Sequence, residues 1–229
     1  QETYFKYRQV LLNEISKKDF DQMFDFNQYT YLYKIGIKKL KKLMTKKEMY
    51  DYLLLNGGKE SIIKQIVLKF QEKKYIDDYY YAKTYIQLKN NTEGPIVIKN
   101  KLMKKGINID LIDELLNLID YDHVVKNLII KKLKTIRNKS KRDTYQILTR
   151  YLIQKGFDID QMKNMIEYEM KSYQFDDLEV LKLEYDKLRM KYQNKFDEKE
   201  LKIKITQKLY QKGFNIEDIK KCMSLTNDF

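Results

Sequence analysis

Turn-forming residues are almost missing: seven glycines and a single proline, Pro95, punctuate 229 residues. A sandwich or barrel needs a tight turn at every hairpin, so this scarcity excludes β-architectures and leaves long helices joined by short loops. The one cysteine, Cys222, rules out an internal disulfide framework and fits a reducing compartment. The one histidine, His123, has no metal-ligand spacing to that cysteine, so neither a zinc site nor a nucleophile–base pair can be assembled. No metal, no cofactor and no enzymatic activity are expected. No apolar run approaches the roughly 18 residues of a membrane span, and Gln1 to Tyr7 lacks the cationic-then-apolar pattern of a signal peptide. The expectation is a cytoplasmic monomer without a membrane partner.

Positive charge is abundant. Forty-six Lys and Arg against 33 Asp and Glu leave a formal charge of +13, which points to a polyanionic partner such as nucleic acid, or to an acidic protein surface. A codon bias towards Lys, Asn, Ile and Tyr is the competing source of the lysine excess.

A hexapeptide recurs: Lys105-Gly106-Ile107-Asn108-Ile109-Asp110, Lys155-Gly156-Phe157-Asp158-Ile159-Asp160 and Lys212-Gly213-Phe214-Asn215-Ile216-Glu217. It reads as a helix stop followed by a helix start. Glycine supplies the left-handed residue that closes one helix, and the Asn or Asp two places on caps the next. Ile107, Phe157 and Phe214 then face Ile112, Met162 and Ile219 as an apolar staple. Asn56-Gly57-Gly58-Lys59-Glu60 is a degenerate fourth copy.

Outward from these turns the same pattern extends: a long helix, a second ending at the glycine, a third after it. First helices are expected to begin near Asn27, Asp77, Tyr121 and Asp176. This divides the chain into an N-terminal arm, residues 1–26, and repeats at 27–76, 77–120, 121–175 and 176–229. Tyr29, Leu32, Tyr33, Gly36, Leu40, Leu43 and Met44 fall at helical spacing, Thr45 to Glu48 is a capping box, and Ile62, Ile63, Ile66, Val67 and Phe70 form the next apolar face. The expected fold is all-α: tandem three-helix repeats stacked into an elongated, curved solenoid with one contiguous core.

From Tyr75 the chain reads Tyr-Ile-Asp77-Asp78-Tyr-Tyr-Tyr-Ala-Lys-Thr-Tyr-Ile, then Gly94-Pro95, Ile98-Lys99, Leu102 and Lys105-Gly106-Ile107. This resembles the RecX family, bacterial regulators of the RecA recombinase, over roughly residues 27–225, with the Asp-Asp to Gly-Pro stretch as its specific part. Tyr80 stands where the family usually has Arg, and Ile96-Val97 replaces the usual basic pair, while Lys99 keeps the next cation. The resemblance implies tandem three-helix repeats and a non-enzymatic inhibitor. Such a protein lies in the groove of the RecA–DNA filament and restrains strand exchange and the coprotease role, in DNA repair and the SOS response.

Charge concentrates in the first and third repeats, +8 and +6, against −1 and +1 in the second and fourth. Two acid-free runs supply most of it. The first holds Lys34, Lys38, Lys39, Lys41, Lys42, Lys46 and Lys47; the second Lys131, Lys132, Lys134, Arg137, Lys139, Lys141 and Arg142. Each is read as the end of a first helix, where the dipole explains one or two cations but not seven. With Lys99 they are the candidate contacts to filament or to single- or double-stranded DNA; a solvated lysine face is the competing reading. Asp77, Asp78, Gly94, Pro95 and Gly106 are taken as structural: one Asp caps a helix and the other faces its dipole, and Pro95 opens the next helix. The tyrosines, Tyr79 to Tyr81 included, are expected to put their rings in the core. Three function classes remain open: a RecA modulator, a free-standing DNA- or RNA-binding repeat, and a peptide-binding scaffold with an apolar groove.

Overall fold

The computed structural model describes residues 16–137, 139–172 and 177–225. Among them are twelve helices and no strand, falling in sets of three. The first set is α1 (Lys17–Lys39), α2 (Lys46–Leu55) and α3 (Glu60–Glu72), and the second α4 (Asp78–Lys89), α5 (Pro95–Lys104) and α6 (Ile109–Asn117). The third is α7 (Asp122–Leu133), α8 (Lys141–Lys155) and α9 (Ile159–Lys171), and the fourth α10 (Asp177–Tyr192), α11 (Glu198–Gln211) and α12 (Ile216–Leu225).

Local chemistry sets the boundaries. Gly106, Gly156 and Gly213 adopt φ of 81°, 91° and 93°, closing α5, α8 and α11 in the left-handed region, and Gly57 does so at 79° after α2. Asn108, Asp158 and Asn215 then accept the N–H of Asp110, Asp160 and Glu217 at 2.8, 3.0 and 3.1 Å. The staple residues Ile107, Phe157 and Phe214 are buried in the same clusters as Ile112, Met162 and Ile219.

One start differs from expectation. Residues 1–15 of the expected arm lie outside the described residues, but α1 begins at Lys17, well before Asn27, because Ser16 caps it by accepting the Asp19 N–H. Further along, Gln28 donates to the Gly57 carbonyl and accepts from the Lys59 N–H, both at 3.1 Å, and Lys59 reaches Asp25 at 2.5 Å. Asp176 lies outside the described residues.

Among the described residues the core is not one contiguous body. It falls into four clusters, one inside each set of three helices: around Leu32, Ile63 and Phe70; Ala82, Ile98 and Leu102; Ile129, Leu148 and Leu152; and Leu181, Ile205 and Leu209. Where sets meet, the buried groups are polar instead, Thr45 and Ser140 being 0% and 2% exposed. Three helices already close around an apolar centre, and neighbouring sets are joined by hydrogen bonds, by the Lys105–Glu48 ion pair and by the stems of Lys47 and Arg142. The chain divides into two compact units, Gln1–Asn90 with Val97–Ile119, and Asn91–Ile96 with Asp120–Phe229. No helix among the described residues is long and apolar enough to cross a membrane.

Candidate nucleic-acid interface

In the first unit, Thr45 is the N-cap of α2 and sits in a complete capping box with Glu48. Its hydroxyl accepts the Glu48 N–H at 3.1 Å and donates to the Lys105 carbonyl at 2.7 Å, in the Lys-Gly turn of the next set. Beside it the Lys46 N–H donates to Asp78 at 2.8 Å. The second unit repeats this with different residues. Ser140 caps α8, accepts the Asp143 N–H at 3.1 Å and donates to the Lys212 carbonyl at 3.3 Å, while the Lys141 N–H donates to Asp177 at 3.0 Å. A third version, inside the second unit, uses backbone alone: the Gly94 N–H donates to the Lys155 carbonyl at 2.6 Å and the Ile96 N–H to that of Gly156 at 3.1 Å. A Cβ on Gly94 would lie 2.4 Å from the Gly156 carbonyl oxygen, so only glycine permits this approach.

These contacts give the motif residues their roles. Asp77 caps α4 by accepting the Tyr80 N–H at 2.9 Å, and Pro95 opens α5, both as expected. Asp78 does more than face a dipole: it supplies a carboxylate to the start of α2, and burial pushes its pKa above the ordinary aspartate value despite the Lys46 N–H bond. The sequence signal for the joint is the parallel of Thr45-Lys46-Lys47-Glu48 and Ser140-Lys141-Arg142-Asp143, visible only once both are known to be helix starts.

The basic runs do not sit at the ends of first helices, as the sequence suggests; each straddles three elements, because a cap starts a new helix inside it. Lys38 and Lys39 close α1, Lys41 and Lys42 lie in the connection, and Lys46 and Lys47 open α2. Likewise Lys131 and Lys132 close α7, Lys134 is its C-cap, Arg137 and Lys139 lie in the connection, and Lys141 and Arg142 open α8. A helix N-terminus disfavours cations; Asp78 and Asp177, bonded to the first N–H of α2 and α8, provide the compensating negative charge.

All of these cations are exposed except Lys132, which is half-buried, with its ammonium 5.3 Å over the Tyr151 ring. None of them forms an ion pair with a described carboxylate. Lys99 is different: it is half-buried and bound to Asp113 at 2.6 Å, so its charge is already answered. The stems of Lys47 and Arg142 lie against Gly106 and Gly213, where a Cβ would come within 2.5 Å of them. Lys105 is held by Glu48 at 2.5 Å, and the hydrogen bonds to Glu48 and Tyr81 raise its pKa above the ordinary lysine value.

Tyr79 and Tyr80 are 46% and 56% exposed, against the expectation of core rings, while Tyr81 is half-buried and stacks on Tyr85. His123 is an exposed α7 residue in contact with Asn127, and Cys222 is buried, as expected. Among the described residues no group of His, Cys, Asp and Glu is placed to hold a metal ion.

No family model matches the chain. It is similar to the regulatory protein RecX of Streptococcus sanguinis, 31% identical over 211 residues, covering 90% of this chain and 82% of that protein. To the regulatory protein RecX of Streptococcus equi subsp. equi it is 35% identical over 182 residues, 76% and 69% of the two chains. Among solved structures, RecX from Lactobacillus salivarius matches with a TM-score of 0.59 at 28% identity, over 62% of this chain and 97% of that one. A second RecX crystal structure, 24% identical, shares the fold with a TM-score of 0.61. Relatives above 30% identity matched along most of both chains, all named as regulatory proteins, make this chain a member of the RecX family.

Proposed function

We propose that this protein binds the RecA–DNA filament as a cytoplasmic monomer and restrains the recombinase and coprotease activities of RecA, in DNA repair and SOS regulation. The observation that carries the reading, beyond family membership, is the pair of cationic corners built alike in the two units. Each has a polar cap fixed to the neighbouring Lys-Gly turn and an array of exposed cations with no described carboxylate partner. Stability alone does not call for such an arrangement, since uncompensated like charges repel. Lys38, Lys39, Lys41, Lys42, Lys46, Lys47 and the run from Lys131 to Arg142 are the contact candidates; Lys99 is left out because Asp113 holds it.

Added to RecA filaments on single-stranded DNA, the purified chain slows ATP hydrolysis and strand exchange near stoichiometric amounts. No effect on the cognate RecA removes the reading. Free-standing DNA or RNA binding is the second reading, favoured by the same unanswered cations. It predicts tight binding to a labelled oligonucleotide without RecA, with log K falling by about 0.7 per phosphate contact for each tenfold rise in salt. Replacing Lys131, Lys134, Arg137 and Lys139 by Ala is the variant of choice, because these side chains are exposed while Lys132 and Arg142 also pack on Tyr151 and Gly213. The salt slope shrinks in either reading; only in the first is RecA inhibition lost with it.

A further inference from the structure

The two basic runs differ in what accompanies the charge. Between Lys131 and Arg142 the apolar residues, Leu133 and Ile136, are buried, and the cleft beside Lys141 and Arg142 is lined by Glu167 and Asp177 together with Tyr145, half-buried, and Met170, buried, so among the described residues no large apolar side chain stands exposed beside that run. In the first run, Lys38, Lys39, Lys41 and Lys42 line a cleft of about 670 Å³ together with Leu43, Tyr52 and Leu55. Leu43 is 57% exposed and Leu55 86%. Lys39 is held 4.8 Å over the Tyr52 ring, which fixes one ammonium at the cleft wall. Leu43 stands at helical spacing with Leu40 and Met44 in the sequence, but α1 ends at Lys39 and its side chain turns outward.

A phosphate backbone gains nothing from two exposed leucines, while the exposed carboxylate of Asp51, which also lines the cleft, opposes phosphates and carboxylates alike. Four lysines against that carboxylate and the engaged Glu48 still leave the cleft positive. We infer that this cleft docks an acidic, amphipathic segment of a protein partner, whose carboxylates meet Lys38 to Lys42 and whose apolar side chains cover Leu43 and Leu55. Charge complementarity selects the acidic residues and the leucines select a polypeptide over a nucleic acid. Assigning that segment to the filament rests on the function proposed above; the chemistry of the cleft does not.

The test uses the full chain and three labelled probes: a short helical peptide of Glu and Leu with the leucines on one face, its counterpart with every Leu replaced by Ser at the same charge, and oligo(dT). The Glu–Leu peptide binds about tenfold more tightly than the Ser counterpart, the equivalent of about 1.4 kcal/mol. Leu43→Ser with Leu55→Ser removes that tenfold and leaves oligo(dT) binding and helical circular dichroism unchanged. Leu55→Ser alone, at the more exposed position, gives a smaller shift in the same direction. Equal binding of the two peptides, or loss of oligo(dT) binding with the leucine variants, overturns the inference. A chain that slows RecA while showing no leucine-dependent peptide binding refutes the docking surface but not the function. Leucine-dependent binding without any effect on RecA refutes the function and leaves the docking surface standing.

Discussion

The first and second units build the same joint from different residues. Both start the middle helix of one set with a buried hydroxyl cap that reaches a lysine carbonyl in the next, and both bring an aspartate to the first N–H of that helix. The ion pair beside the joint is not kept in the same way. Lys105 is answered by Glu48, the third residue of α2, whereas its counterpart Lys212 is answered by Glu184 of α10. Asp143, at the third position of α8, is one methylene shorter than Glu48. The contacts that recur are those directed at backbone groups, which cannot move; the lysine side chain is long enough to find its carboxylate on whichever helix offers one.

The strongest way to break this correspondence is at the joint made of backbone alone. Gly94→Ala places a Cβ against the Gly156 carbonyl and cannot be relieved by a side-chain rotation, so it costs about 3 kcal/mol. Because residues 91–96 belong to the second unit, amide hydrogen exchange rises in α8 and α9 while the helices of the first unit keep their protection. Equal loss in both units removes the division on which the comparison stands.

Removing the hydroxyl caps sharpens it. Thr45→Ala deletes a completely buried group with a 2.7 Å bond to Lys105 and an intact capping box, and lowers stability by about 2 kcal/mol. Ser140→Ala deletes a longer 3.3 Å bond and lowers it by about 1 kcal/mol. Urea unfolding followed by circular dichroism reads both. A larger loss at Ser140 reverses the ranking of the two joints.

Much of this architecture was legible from glycine and its neighbours. The Lys-Gly turns gave helix ends, caps and staples because each rests on residues close in sequence, and Thr45-Glu48 gave the start of α2 in the same way. The joints were not legible, because Thr45 and Lys105, Asp78 and Lys46, or Gly94 and Lys155 meet only after folding. The early start of α1 was hidden by a polar stretch from Lys17 to Asp25 whose Phe20 and Phe24 remain about half exposed. The cationic candidates could be named from charge alone, yet their division was not visible. That Lys99 is neutralised, and that Leu43 and Leu55 stand beside one run while Leu133 and Ile136 are buried beside the other, depends on which way each helix face turns.

The smallest expected difference concerns acid. Burial raises the pKa of Asp78 above its ordinary value, so the stabilisation linked to its protonated form is present at low pH and lost as pH rises through the folded value. Burial also acts to raise Glu184, but its hydrogen bonds with Lys212 and Lys187 outweigh that and the net shift is downward. Its contribution is therefore present above the ordinary glutamate value and lost as pH falls through the lower folded one. Acidification across the carboxylate range, about pH 5 to 3, thus weakens the second unit through Glu184 while Asp78 favours the first. Hydrogen exchange at a series of pH values shows α10 and α11 losing protection before α2 and α4, and Glu184→Gln flattens the first trend as Asp78→Asn flattens the second. Earlier loss in α2 and α4 contradicts both signs, since each follows from whether burial prevails, as at Asp78, or is outweighed by lysines, as at Glu184.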